Sequence, residues 1–238
     1  MLFRSHHPCR NHSHAQPISK SLHAADLTHR LKSSASDHLK RADKSLAAII
    51  KLSGPCELKP RRGVQPWQAL VRSVAYQQLN GRAAETIFNR FLALFPNTKF
   101  PAPQQIVDAS DETLRSAGFS RAKTAAIKDI AAKTQAGVVP DRRAIAKLSD
   151  AEIIERLTTI RGVGPWTVEM LLMFTLGRPD VLPVTDYGVR SGFARVHGLK
   201  ELPAPKHLLA YGERWRPHRS AAAWYLWRAA DLAKETAK

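Results

Sequence analysis

Ser149–Arg190 reads SDAEIIERLTTIRGVGPWTVEMLLMFTLGRPDVLPVTDYGVR, and its punctuation decides the architecture. Ser149 followed three residues later by Glu152 is a capping box, which starts a helix there. Ile153, Ile154 and Leu157 give that helix an apolar face at helical spacing. Gly162-Val163-Gly164 breaks the chain, and Pro165 stands where a helix tolerates proline, in its first turn. A second apolar helix is predicted from Trp166 to about Leu176. An extended Val-Leu-Pro segment then delivers one carboxylate, Asp186, to a new helix start. Two glycines in a hairpin between short helices let backbone N–H groups approach a guest closely, and a phosphate suits them.

The rest of the chain agrees with an anionic partner. Over 238 residues the formal net charge is +17, a balance that favours a polyanion such as nucleic acid. No run reaches the roughly 20 apolar residues of a membrane span. Cys9 and Cys56 are too few for a four-cysteine zinc or iron–sulfur site. Residues 1–34 hold six of the ten histidines and no acidic residue before Asp26, which reads as a disordered His- and Arg-rich tail. An organellar transit peptide is the alternative reading of that segment.

From about Ser36 the pattern is helical almost without interruption. A helix is predicted over Asp37–Leu52, with Leu39, Ala42, Leu46, Ala47 and Ile50 on one face. Further helices are predicted from Pro66, from Arg82 to Leu94, from Ser110 to Gly118 and from Ser120 to about Gln135. After Asp186–Val196 come one helix ending at Tyr211 and a last one over Ser220–Lys234. No segment alternates as a strand does, so the fold class is all-α, with the helical domain over residues 35–238.

IRGVGPWT followed by LPVTDYGVR resembles the helix-hairpin-helix, glycine/proline-rich and aspartate motif of base-excision DNA glycosylases. ALVRSVAYQQLNGRAAETI, AGFSRAKTAAIKDIA and RWRPHRSAAAWYLWRAAD extend the likeness, in order, to the 3-methyladenine-DNA glycosylase II branch. The resemblance covers about residues 36–234 and implies two helical lobes with the active-site cleft between them. It implies a monomer that binds damaged double-stranded DNA, flips out an alkylated purine and hydrolyses its N-glycosidic bond, with cytoplasmic, nucleoid-associated work in base excision repair. A nuclear or organellar site follows instead if the tail is a targeting segment.

Residue by residue, the resemblance makes Asp186 the catalytic carboxylate, although Asp186 or Thr185 would equally serve as the cap of the helix starting at Tyr187. It places Trp166, Tyr187, Trp227 and Met170 around the base pocket. Trp166 stands where lyase-type relatives carry a lysine, so no strand cleavage is expected. Gln78, Leu79 and Asn80 match the loop that wedges into the vacated base stack, with Leu79 the leading choice. Gly162, Gly164 and Arg161 are expected on a phosphate, as are Arg121 and Lys123 from a basic turn. The carbonyls of Thr158, Ile160 and Val163 are expected to hold a structural monovalent or Mg²⁺ ion, with no cofactor needed for catalysis and no iron–sulfur cluster. Glycosylases of the same fold for other damaged bases, and a non-catalytic DNA-binding module, remain the alternatives.

Overall fold

Among the residues described by the computed structural model, 35–79 and 81–236, every regular element is helical. No helix there is long and apolar enough to cross a membrane. The expectations for residues 1–34 and for Asn80 lie outside the described residues.

The first departure from the sequence reading comes at once. The apolar face predicted to run unbroken through Asp37–Leu52 belongs to two helices, α1 (residues 35–42) and α2 (Lys44–Ser53). Asp43 separates them with an extended backbone and accepts the Leu46 N–H at 3.0 Å. Apolar spacing survives the break because both helices bury the same side, with Leu39, Leu46 and Ile50 all in the core. A short acidic side chain that caps the next turn offers the backbone an alternative to continuing the helix.

α3 (Pro66–Tyr76) starts on proline and a Gln65–Gln68 capping box, and α4 (Gly81–Ala93) follows a turn at Gln77–Leu79. Two short helices unread from sequence sit at Pro103–Asp108 (α5) and Arg142–Ile145 (α8). Between them lie α6 (Asp111–Ser116) and α7 (Arg121–Gln135), whose Ser110 and Ser120 caps accept N–H groups as expected. α9 (Asp150–Leu157) opens on the capping box of Ser149 and Glu152, with Glu152 Oε2 accepting the Ser149 N–H at 2.7 Å. α10 (Pro165–Leu171) ends earlier than its apolar run, because Leu172–Leu176 widens into a π-helical turn. α11 (Tyr187–Val196), α12 (Pro205–Gly212) with a 3₁₀ turn at Glu213–Trp215, and α13 (Arg219–Thr236) complete the chain.

Two groups of helices stand out by their mutual packing. α2, α11 and α13 pack on one another, so segments near both ends of the chain lie together. α3 packs on α4, α7 and α10, with α5 and α6 against α7 and with α9 against α10. α11 and α13 approach closely at Gly192, where a Cβ would overlap the carbonyl oxygen of Leu226 on α13. One contiguous apolar core runs through both groups, from Leu39 and Leu46 to Phe91, Ile130 and Leu226.

The extended segment feeding α11 is pinned to the start of α13. Buried Ser220 accepts the Val181 N–H at 3.0 Å and donates to the Arg178 carbonyl at 2.7 Å. Arg219 grips Asp180 through Nε at 2.8 Å, and Arg216 adds a second contact at 2.7 Å. Together these contacts fix where the chain turns into α11, and hence where Asp186 stands.

Candidate active site

Asp186 is the N-cap of α11, and its Oδ1 accepts the Val189 N–H at 2.8 Å. Capping leaves the carboxylate with further acceptor capacity, and two indoles use part of it. Trp227 Nε1, from α13, donates to Oδ1 at 2.8 Å, and Trp166 Nε1, from α10, donates to Oδ2 at 2.8 Å. One carboxylate therefore joins a helix start to both packing groups. The three N–H donors, one of them at the start of α11, fix the orientation of the carboxylate.

Gly188 makes the arrangement possible. A Cβ there would stand 2.7 Å from Trp227 Cδ1 and 3.2 Å from Asp186 Oδ1, so a side chain would displace the indole. Trp227 is steadied on its other side by Phe174 of the π-helical turn, stacked at 5.7 Å between ring centroids. Phe174 was not singled out in the sequence, where it reads as one more apolar residue of a helix.

The surroundings of Asp186 are aromatic and open. Tyr187 is 71% exposed and Trp166 is 37% exposed, while Met170 is partly buried against the core one turn along α10. Glu169, also unforeseen, lies on the same stretch of α10, and its Oε2 is enclosed without a hydrogen-bond partner. Burial, reinforced by the charge of Asp186, raises the Glu169 pKa to about 7.

The hairpin before α10 is built on one residue that needs glycine. Gly162 has φ +74°, and a Cβ would meet Ala126 Cβ of α7 at 2.8 Å. Val163 donates its N–H to the Ile160 carbonyl at 3.1 Å and buries its side chain, closing the turn. Asp129 of α7 accepts the Arg161 N–H at 2.7 Å, which ties the hairpin down and leaves the exposed Arg161 side chain outward. Gly162 is exposed and Gly164 half-buried.

The turn at Gln77–Leu79 lies beside this hairpin. Gln77 Nε2 donates to the Gly162 carbonyl at 3.1 Å and to Thr167 Oγ1 at 3.3 Å, spanning residues 85 and 90 positions away. Gln78 takes φ +56° and is exposed, and Leu79 is 40% exposed. A left-handed non-glycine residue at the tip of a turn marks backbone held by its surroundings.

Lys123 has partners within the protein that the sequence does not announce. Its ammonium donates to the carbonyls of Ala75 at 2.9 Å and Gln77 at 2.7 Å, so it fastens the end of α3. Burial lowers its pKa. Lysine at a helix C-terminus satisfies carbonyls that have no partner within the helix. Arg121, two residues earlier, remains exposed at the start of α7.

Residues 71–217 match the family described as HhH-GPD superfamily base excision DNA repair protein. The chain belongs to this family. Within it, DNA-3-methyladenine glycosylase 1 of Schizosaccharomyces pombe is 42% identical over 84% of this chain and 88% of the relative. The structure of Mag1 from the same organism, in complex with abasic DNA, matches with a TM-score of 0.77 at 42% identity, covering 84% of this chain and 98% of that one. The DNA-3-methyladenine glycosidase of Bacillus halodurans matches with a TM-score of 0.75 at 34% identity, covering 84% of this chain and 91% of that one. The matched HhH-GPD region contains the hairpin, Asp186 and the Gln77–Leu79 turn, while Trp227 lies on the helix just beyond it.

Proposed function

We propose that this HhH-GPD protein is a monofunctional DNA glycosylase that hydrolyses the N-glycosidic bond of alkylated purines in double-stranded DNA. The observation that carries this reading is the Asp186 carboxylate, fixed by Val189 N–H, Trp166 Nε1 and Trp227 Nε1 between exposed aromatic rings. The names of its relatives, 3-methyladenine DNA glycosylases, support the same reaction.

Breaking C1′–N bonds builds positive charge on the deoxyribose, and a preorganised carboxylate stabilises that charge without having to reorient. Water then adds at C1′, and its proton passes to Asp186. The base must be flipped from the duplex first, with Leu79 or Gln78 taking its place in the stack. 3-Methyladenine and 7-methylguanine carry positive charge in DNA, so stacking on Trp166, Tyr187 or Trp227 gains cation–π energy of about 1–2 kcal/mol per good contact. Gly162, Gly164 and Arg161 hold a phosphate of the bent duplex, with Arg121 on the same strand or its complement. The cleft that receives the flipped base is the boundary between the two packing groups that Asp186 bridges.

Trp166 offers no amine for a Schiff base, so the product is an intact strand with an abasic site. The proposed reaction uses no cofactor. The hairpin carbonyls of Thr158, Ile160 and Val163 would hold a structural monovalent or Mg²⁺ ion, neutral carbonyl oxygens being the donor type that suits hard cations. Such an ion would hold the backbone toward the phosphate and supply nothing to the chemistry.

The test is incubation of the full chain with a duplex carrying one 7-methylguanine. Free base should appear with the strand uncut until alkali is added. Borohydride trapping of the protein on DNA would overturn the monofunctional assignment, and absence of released base would overturn the glycosylase reading.

A further inference from the structure

α10 presents a second carboxyl group on the side that carries Trp166. Glu169 follows Trp166 by three residues and precedes Met170, so the three side chains share one face of the helix. Trp166 fixes the direction of that face, because its indole bonds Asp186. Glu169 Oε2 is enclosed among the described residues with no donor. Ionised, that oxygen would carry charge without a hydrogen-bond donor, and the neutral acid form carries a smaller penalty.

Several charged groups on the neighbouring elements have partners of their own. Arg72 of α3 donates to the Tyr76 hydroxyl at 2.7 Å, and Lys123 of α7 serves the carbonyls at the end of α3. On α9, Glu152 belongs to its capping box and Arg156 donates to the carbonyls of Gly137 and Val138. Asp186, at the start of α11, is the charge that acts on Glu169, and it acts by repulsion. Glu169 thus keeps its proton to about pH 7.

Such a proton matters for one class of leaving group. A purine methylated on N3 or N7 already carries charge and departs as a neutral base. An uncharged damaged purine departs as an anion unless a ring nitrogen is protonated, and proton transfer of this kind typically contributes about 10²–10⁴-fold. We propose that Glu169 is the general acid of this site, delivering its proton to a ring nitrogen of uncharged damaged purines such as hypoxanthine.

The step balances. The proton moves from Glu169 to N3 or N7, and the C1′–N9 bond breaks with its electron pair going to the ring. A neutral base, an oxocarbenium ion and the Glu169 carboxylate result. Water adds to C1′, its proton passes to Asp186, and transfer from Asp186 to Glu169 restores both groups. This inference rests on the glycosylase reading above.

The experiment compares single-turnover release of hypoxanthine and 7-methylguanine from otherwise identical duplexes, using the full chain across about pH 5–9. With wild type, the ratio of hypoxanthine to 7-methylguanine release should fall about tenfold per pH unit above about pH 7, as the acid form is lost. With Glu169→Gln, the loss on hypoxanthine should exceed the loss on 7-methylguanine by at least about tenfold, and the ratio should no longer depend on pH. Wild-type release of 7-methylguanine without hypoxanthine, a ratio flat with pH, or equal losses on both bases would each overturn the proposal. If 7-methylguanine itself is not released, the glycosylase reading fails instead. The wild-type ratio is measured without any substitution, so the proposal stays exposed to test even if the variant misfolds.

Discussion

Asp43 and Asp186 are built to almost the same local plan and end in opposite environments. Each is the N-cap of a helix, accepting the N–H three residues on, and each accepts an indole N–H from a distant tryptophan. Asp43 is 3% exposed. It is shut in by Trp215 Nε1 at 3.1 Å and by His197 Nε2 at 3.4 Å, at the junction of α1, α2, α11 and the 3₁₀ turn. Burial opposes its charge, yet His197, the Leu46 N–H and Trp215 outweigh that and hold its carboxyl below the ordinary value. Asp186 stands instead among Trp166 and Tyr187, two of the exposed large hydrophobic side chains of the molecule. A capped, indole-bonded aspartate is thus no signature of catalysis by itself. What distinguishes the two is access: one carboxylate has spent its acceptors inside the core, and the other presents them where a substrate can reach.

That contrast breaks most readily at the indoles. Converting Trp166 and Trp227 together to Phe removes two of the three donors that aim Asp186, and base release should fall about 10²-fold while the fold persists. Single-turnover kinetics checks it, and unchanged release would mean that the indoles serve only packing. The matching change on the structural side, Asp43→Ala, should cost about 2–3 kcal/mol in urea unfolding, because Trp215 and His197 lose a buried partner. Release per folded molecule should be retained.

Gly188→Ala tests the geometry between these extremes. The added methyl must push Trp227 off Asp186, so release should drop about tenfold with a smaller loss of stability, read by the same two assays.

The pH dependence of stability should separate the carboxyls in sign. Asp43 has a lowered folded-state pKa, so its stabilisation is present above the unfolded-state value and is lost as pH falls through the folded-state one. The stability gap between wild type and Asp43→Asn should therefore narrow below about pH 4. Glu169 behaves oppositely. Its pKa is raised to about 7, so its contribution favours folding below the ordinary carboxyl value and is lost as pH rises toward 7. Glu169→Gln should gain stability relative to wild type between about pH 5 and 8, by a few degrees in Tm. The smallest effect belongs to Lys123→Met, which loosens the end of α3 and should weaken binding to abasic duplex by about threefold to tenfold.

The same comparison explains what was legible in the sequence. Asp186 stood out because the hairpin, the proline at the helix start and the cap follow each other within one short stretch, and helix punctuation is local chemistry. Asp43 was passed over because the apolar spacing continues on both sides of it, and spacing cannot register a break that leaves the buried face in phase. Glu169 carried no local signal, since its enclosure depends on α10 turning that face toward Asp186. The anchoring role of Lys123 is hidden for a related reason: its acceptors lie 46 and 48 residues back along the chain. The helical class followed from periodicity, whereas α5 and α8, at six and four residues, are too short to show a period.

The central claim is that Asp186 acts on the sugar and does not merely cap α11. Asparagine keeps the cap and the volume but removes the charge. For Asp186→Asn, release of 7-methylguanine should fall about 10³-fold or more with unfolding and abasic-duplex binding close to wild type. Near wild-type release by that variant would contradict the account and return Asp186 to the purely structural role that Asp43 plays.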